Sequence, residues 1–321
     1  MADWTPNPAM YGVTGNGTNL TPERWIKTYF KSLEKHEMWS QFVNYVAGPE
    51  NFFEKGVSDT TRVNFIGKLD VPSASLTQGT KITAGTQASV QVSLTVAEEG
   101  NLIDISGLQS WYIGSPLVQT AVDSCVDNAL ETNDKRIGAT YAGATSYFSI
   151  YGTDAFYENL HTGTRGTELF LPIHARLISQ RMKRLGIAPM SDGYYHAVGQ
   201  PGAWEAMLQQ SSFVDNAARL GNATPFTKGI AGVYGGIVFH DELGANASMT
   251  YSATVGTSVI FGADACIGGN DINRPDLLTY YPDPDNDAKR TSRVTWYNRQ
   301  SYALTLQGTL TARTFLIYHK M

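Results

Sequence analysis

Residues 75–96 read SLTQGTKITAGTQASVQVSLTV. In the second half Val90, Val92, Leu94 and Val96 are apolar, and Gln91, Ser93 and Thr95 between them are polar. That two-residue period is the pattern of a β-strand with one buried face. The first half is polar, carries Gly79 and Gly85, and has almost nothing to bury. Upstream, TRVNFIGKLDV (61–71) also reads as strand. Together the two runs predict a long hairpin with a wide polar tip. A lone hairpin is barely stable in water. Something beyond its own two strands must hold it.

The chain has 321 residues, 42% of them hydrophobic, enough for a sizeable core. Charged residues make up only 17%, against the ~25% of an ordinary soluble domain. With 31 glycines and 17 tyrosines, the surface is covered largely by neutral polar groups, which suits contact with other protein. The formal net charge of −5 argues against a chain that grips nucleic acid electrostatically. The N-terminus has neither the basic start nor the apolar run of a signal peptide. No apolar run is long enough to span a membrane. Cys125 and Cys266 read as free, buried thiols.

Residues 1–20 read as an extended arm rich in Pro, Gly, Asn and Thr. A helix is predicted over 21–45. Thr21 caps it, Pro22 takes the first helical position, and Glu23 meets the positive end of the dipole. Trp25, Ile26, Tyr29, Phe30 and Leu33 follow at helical spacing, and Trp39, Phe42 and Val43 resume the stripe after a slip. Lys27, Lys31 and Lys35 lie opposite and read as a solvated face. Asn101–Ser106 reads as a strand. Ser115 and Pro116 open a second helix, running to about Tyr141, with an apolar stripe of Leu117, Val118, Ala121, Val122, Cys125, Ala129 and Leu130. A third helix starts near Pro172 and stops at Gly186. Its Arg176, Arg181, Lys183 and Arg184 read as solvated. Beyond 193, YYHAV, GGIVFH, TSVIFG and two runs in the last twenty residues read as strands, and PGAWEAMLQQ and SFVDNAARLG as helices. The order of elements predicts an α+β chain.

No catalytic constellation emerges. There is no nucleophile elbow and no phosphate loop. The glycines of KGIAGVYGGIVFH (228–240) lead into a strand, so they read as a tight turn and not a dinucleotide site. The six histidines, at 36, 161, 174, 196, 240 and 319, show no metal-ligand spacing. His240, Asp241 and Glu242 form the densest polar cluster, but adjacent strand residues cannot all converge on one ion. Asp283, Asp285 and Asp287 begin like a calcium loop, which then fails at Ala288 and Val294. The reading is no enzyme, no cofactor and no metal.

Several stretches carry a family resemblance. SLTQGTKI is similar to the Leu-Thr-Glu-Gly hairpin tip of the major capsid proteins of tailed bacteriophages of the N-four-like branch, with Gln78 in place of the acid. DISGLQSWYIGSPLVQTAVDSCVDNALETNDKRIGATYAG resembles the strand and long helix that follow in that family, including a polar Asn133-Asp134. GYYHAVGQPGAWEAMLQQSSFVDNAARLG, KGIAGVYGGIVFHDELGA and VTWYNRQSYALTLQGTLTARTFLIYH resemble its later segments in the same order.

The resemblance implies the Hong Kong 97-type capsid fold. It assigns residues 1–60 to an N-terminal arm and 61–100 to an extended loop. Residues 101–190 become a peripheral domain with a spine helix at 115–140, 191–290 an axial domain, and 291–321 strands returning to the peripheral domain. It implies pentamers and hexamers of this chain in an icosahedral virion assembled in the host cytoplasm. The partners it implies are a portal protein, separate scaffolding and cement proteins, and packaged double-stranded DNA held non-specifically, with no membrane. Leu76, Thr77, Gln78, Gly79, Lys81, Val90, Val92, Leu94 and Val96 would make contacts between subunits through the loop. Trp4, Tyr11 and Trp25 would do so through the arm. Lys68 and Lys81 lie in the hairpin region, without a cross-linking motif. Two alternatives stand beside this. One is an encapsulin-like compartment shell. The other is a cellular α+β binding module, against which stand the absence of an export signal and of convergent acidic pairs.

Overall fold

A computed structural model describes residues 38–45, 60–66, 89–106, 117–151, 155–158, 166–200, 202–210, 230–242, 250–252, 255–270, 278–280, 291–305 and 312–320. A 3-10 turn, Trp39–Phe42, is followed by β1 (Val43–Tyr45), β2 (Thr60–Ile66), β3 (Ser89–Thr95), β4 (Ala97–Ser106) and the long helix α1 (Leu117–Ala142). Then come β5 (Tyr147–Tyr151), β6 (Ala155–Glu158), α2 (Pro172–Arg184), β7 (Tyr195–Gly199) and the single-turn α3 (Glu205–Leu208). The remaining strands are β8 (Ile230–Tyr234), β9 (Ile237–Asp241), β10 (Thr250–Ser252), β11 (Val255–Phe261), β12 (Cys266–Asn270), β13 (Leu278–Tyr280), β14 (Thr291–Leu304) and β15 (Thr314–Lys320). The chain is α+β, and its residues divide into two compact units.

The smaller unit takes residues 98–131 and the described part of 273–298. Here β4 and β13 pair with the first half of β14, with Leu278 opposite Thr295. Ile105, Ala121, Cys125, Val294 and Trp296 form its core, and Val122 and Ala129 pack against it. The Trp296 indole N–H donates to Asn128 Oδ1 at 3.0 Å. The predicted helical stripe holds at Ala121, Cys125 and Ala129 but not at Leu130, which is 42% exposed. Leu130 lies about two and a half turns beyond Ala121 and so points away from it.

In the larger unit the sequence alternation is read out on two sides of one sheet. The order is β6-β5-β15-β11-β7-β9-β8, with β10 on β11. Strands β5, β7, β9, β11 and β15 are buried almost end to end, because both faces are covered. Phe148, Ile150, Ala197, Phe239, Ile260, Phe315 and Ile317 face one core, with Ala175, Ile178 and Met182 of α2. Their chain neighbours Tyr147, Val198, Val259, Phe261, Leu316 and Tyr318 face a second core, with Ile137 and Tyr141 of α1. Period two divides each strand between the two cores. Gly186 ends α2 at φ +73, the left-handed position that favours glycine. Gly235 and Gly236, at φ +62 and +89, make the two-residue turn between β8 and β9.

The predicted helix over 21–45 is corrected at its end. Residues 21–37 lie outside the described residues. Trp39–Phe42 is a single 3-10 turn, and Val43–Tyr45 is strand. Two long-range partners override the helical stripe. Asp134 of α1 binds the N–H groups of residues 38–40, and β12 offers β1 a parallel edge, with Val43 opposite Cys266. PGAWEAMLQQ yields only the four residues of α3, and SFVDNAARLG lies outside the described residues.

Candidate assembly surface

β2 and β3 pair antiparallel from Thr60 opposite Thr95 to Ile66 opposite Ser89. This register sets Thr61, Val63 and Phe65 across from Leu94, Val92 and Val90, so all six share one face. The other face is mainly polar, with Ile66 at its outer end, opposite Ser89 and 70% exposed. There the Gln91 side-chain amide donates to Asn64 Oδ1 at 2.9 Å, and the hydroxyls of Thr60 and Thr95 are 3.3 Å apart. Leu94 is the anchor: it packs on Ile267 of β12 with Ala303 of β14 beside it, and it is 0% exposed. Val92 is half-buried, and Val90 is 40% exposed. The apolar face is therefore sealed at the base and opens to solvent toward the tip.

Among the site residues read from sequence, Leu94 is an intramolecular anchor, and Val92 and Val90 continue its row outward. Val96 lies beyond the paired register, half-buried between β3 and β4. Leu76, Thr77, Gln78, Gly79 and Lys81, and Trp4, Tyr11 and Trp25, lie outside the described residues. Val63, Phe65 and the Ile267 seat were missed; the alternation in 61–71 carried the first two. Leu94→Ala is expected to lower subunit stability by about 2–5 kcal/mol, since the packed site cannot collapse freely. Val90→Ala should lower it by under ~1 kcal/mol. Chemical denaturation of the two variants checks the contrast.

A second built feature is the docked segment Met38–Tyr45. Asp134 Oδ1 accepts from the N–H groups of Met38, Trp39 and Ser40 at 3.0, 2.6 and 3.1 Å. The Trp39 ring stacks on Tyr141, and its indole N–H donates to Glu242 Oε1 at 3.1 Å. The Tyr141 hydroxyl donates to the Phe42 carbonyl at 2.8 Å. The Phe42 ring sits against His196, His240 and Phe261. No local sequence pattern pointed to this seat.

The residues with chemical potential are spent on structure. Of the cluster His240, Asp241 and Glu242, His240 turns to His196 and Glu242 to Trp39. Among the described residues, no group of three His, Cys, Asp or Glu could hold a metal ion. The region of Asp283, Asp285 and Asp287 lies outside them. Ser258 Oγ and His319 Nε2 are 2.9 Å apart, the spacing of a nucleophile and its base. Ser258 is 0% and His319 1% exposed, however, so no substrate reaches them. Cys125 and Cys266 are free and buried. Burial pushes the Cys266 thiol up to about 12, which keeps it unreactive. Arg181, read as solvated, meets Glu158 at 2.5 Å. Among the described residues, no helix is long and apolar enough to cross a membrane.

No protein-family model and no curated protein matches the sequence. Solved structures do match. The capsid asymmetric unit of cyanophage Pam1 aligns with a TM-score of 0.64 at 14% identity, over 100% of this chain and 99% of that one. The head structure of Helicobacter pylori bacteriophage KHP40 gives 0.65 at 14% identity, over 99% of each chain. The capsid structure of cyanophage P-SCSP1u gives 0.62 at 11% identity, again over 99% of each. At such identities the likeness is one of fold, and it spans the chain. The α+β capsid fold implied by the sequence resemblance is the fold found.

Proposed function

We propose that this chain is a major capsid protein, whose subunits self-assemble through pentamers and hexamers into the icosahedral head around the double-stranded DNA of a tailed phage. The observation that carries the reading is the hairpin face. It is seated at Leu94 and opens to solvent at Val90, and at the same end Ile66 is exposed on the reverse, mainly polar face. A monomer gains nothing from extending an apolar face beyond its own core. A subunit that lays the same face on a neighbour gains about 1.5–3 kcal/mol for each large side chain fully covered. Such head-to-tail contacts close into rings when the rotation permits. The full-length likeness in fold to phage capsid chains supports the same conclusion.

In this reading 61–100 is the extended loop, 1–60 the arm, and α1 the spine helix, with the peripheral and axial domains and closing strands divided as the resemblance implies. The protein acts as a building block of the virion and not as an enzyme. It is assembled in the host cytoplasm with a portal protein and separate scaffolding and cement proteins. Its acidic balance keeps the packaged DNA loosely held. Gel filtration with negative-stain microscopy tests the proposal. Capsomers or closed shells are expected, and a chain that stays monomeric with or without scaffold would overturn it. Deleting 78–87, the tip, should give a soluble folded subunit that closes no shells. Normal particles from that deletion would show that the tip is not the contact.

A further inference from the structure

His196 on β7 and His240 on β9 are brought together by the parallel register, which sets His196 opposite Val238 and Val198 opposite His240. The two imidazoles are thus diagonal neighbours on one face. Their rings stack at 5.1 Å, with His196 Nδ1 2.9 Å from His240 Nε2. On its far side His196 Nε2 meets Asp192 Oδ2 at 2.9 Å. The Phe42 ring lies against both, with centroids 5.1 Å from His196 and 5.3 Å from His240. All three residues are buried.

The proton count of this arrangement is restricted. With both rings neutral, His196 gives its Nε2–H to Asp192, and its bare Nδ1 accepts from His240 Nε2–H. With one proton added, His196 donates from both nitrogens, and His240 accepts on Nε2 as the other tautomer. With a second proton, both facing nitrogens carry hydrogen at 2.9 Å and neither can accept. One ring must then turn and take up water, and Phe42 stands in its way. We propose that this pair is an acid-sensitive latch: it holds Met38–Tyr45 docked while at most one imidazole is charged, and releases the segment when both are.

Burial holds both imidazoles below the ordinary histidine range, against the pull of Asp192 on His196. For His240 burial acts first and the neighbouring His196 second, and together they bring it to about 4. The sign follows. The docked state binds fewer protons than the released state, so acid favours release. The effect is absent above about pH 6.5 and grows as pH falls toward 4. At pH 5 His240 alone can shift the docking equilibrium by at most about 30-fold, the limit reached if release returns it to the ordinary histidine range.

Other ionisable groups surround the seat. Asp192 precedes β7, and Asp241 and Glu242 lie at the end of β9. Asp134 and Tyr141 come from α1, and Cys266 from β12. Burial keeps Tyr141 and Cys266 neutral throughout this range. Burial also raises Asp241, so its titration must be separated from that of the pair.

Pulse-labelling hydrogen exchange on the unassembled subunit from pH 7.5 to 5, normalised for intrinsic exchange, tests the latch. Protection of residues 38–45 should fall by about 10- to 30-fold while Val255–Phe261 stays protected. In His240→Gln, whose amide donates to His196 but takes no proton, the fall should shrink below about threefold. Level protection in the native chain, or loss from both segments together, would overturn the proposal. So would an undiminished fall in His240→Gln, which would assign the response to Asp134, Asp241 or Glu242. Should His240→Gln fail to fold, an imidazole NMR titration of the native chain decides: the fall in protection must share its pH midpoint with the charging of the second ring, and a fall that tracks neither ring overturns the proposal.

Discussion

Val90→Asp is expected to leave the subunit folded and to abolish closed particles. Val90 is partly exposed near the open end of the hairpin face, opposite the half-buried Phe65. The anchor at Leu94 and the polar pairs of the other face are untouched. In a single subunit the new carboxylate stays hydrated, so the change costs at most about 1 kcal/mol. In the proposed shell the same position would lie beneath a neighbour. An unpaired carboxylate taken out of water there costs several kcal/mol per copy, repeated in every subunit. Gln91→Asp puts the same charge on the reverse, mainly polar face and should leave assembly intact. Sedimentation velocity and negative-stain microscopy read particle formation, and a thermal melt reads the fold. Normal heads from Val90→Asp would remove the apolar face from the interface. Equal loss from both variants would point to net charge as the cause.

The parts legible in the sequence were those written in local periodicity. The alternation at Val90, Val92 and Leu94 located a strand, and the partner run from Thr61 gave the hairpin. Pro172 and Gly186 bracketed α2. What stayed hidden depends on register between distant strands. His196 and His240 are 44 residues apart, and only the pairing of β7 with β9 sets them side by side. Trp39 and Phe42 fit a helical stripe as well as any residues in that stretch. Their fate was decided by Asp134, 95 residues from Trp39, and by the free edge of β12. Leu94 carried the signal of a buried residue, but nothing local said that it is buried on Ile267 and not on another subunit.

Asp134 offers the sharpest test of that long-range seat. One carboxylate oxygen accepts three consecutive backbone N–H groups, at Met38, Trp39 and Ser40, and the side chain is buried. Asp134→Ala removes the acceptor and leaves those donors facing a dry cavity, at about 1–3 kcal/mol for each one that water cannot reach. Ser40 is partly exposed and can recruit water, so a total loss of about 3–5 kcal/mol is expected. The chain has one escape, which is to let the segment go. The loss measured in global unfolding therefore cannot exceed the free energy of docking. Hydrogen exchange at neutral pH should show residues 38–45 unprotected in the variant while Val255–Phe261 keeps its protection. Asp134→Asn retains an acceptor oxygen in the same place and gives up only the charge-assisted part of the bonds, about 1–2 kcal/mol. A loss under about 1 kcal/mol for Asp134→Ala would mean that Trp39, Phe42 and the β1–β12 pairing hold the segment without this cap, and equal large losses for the two variants would mean that the charge and not the acceptor oxygen holds it.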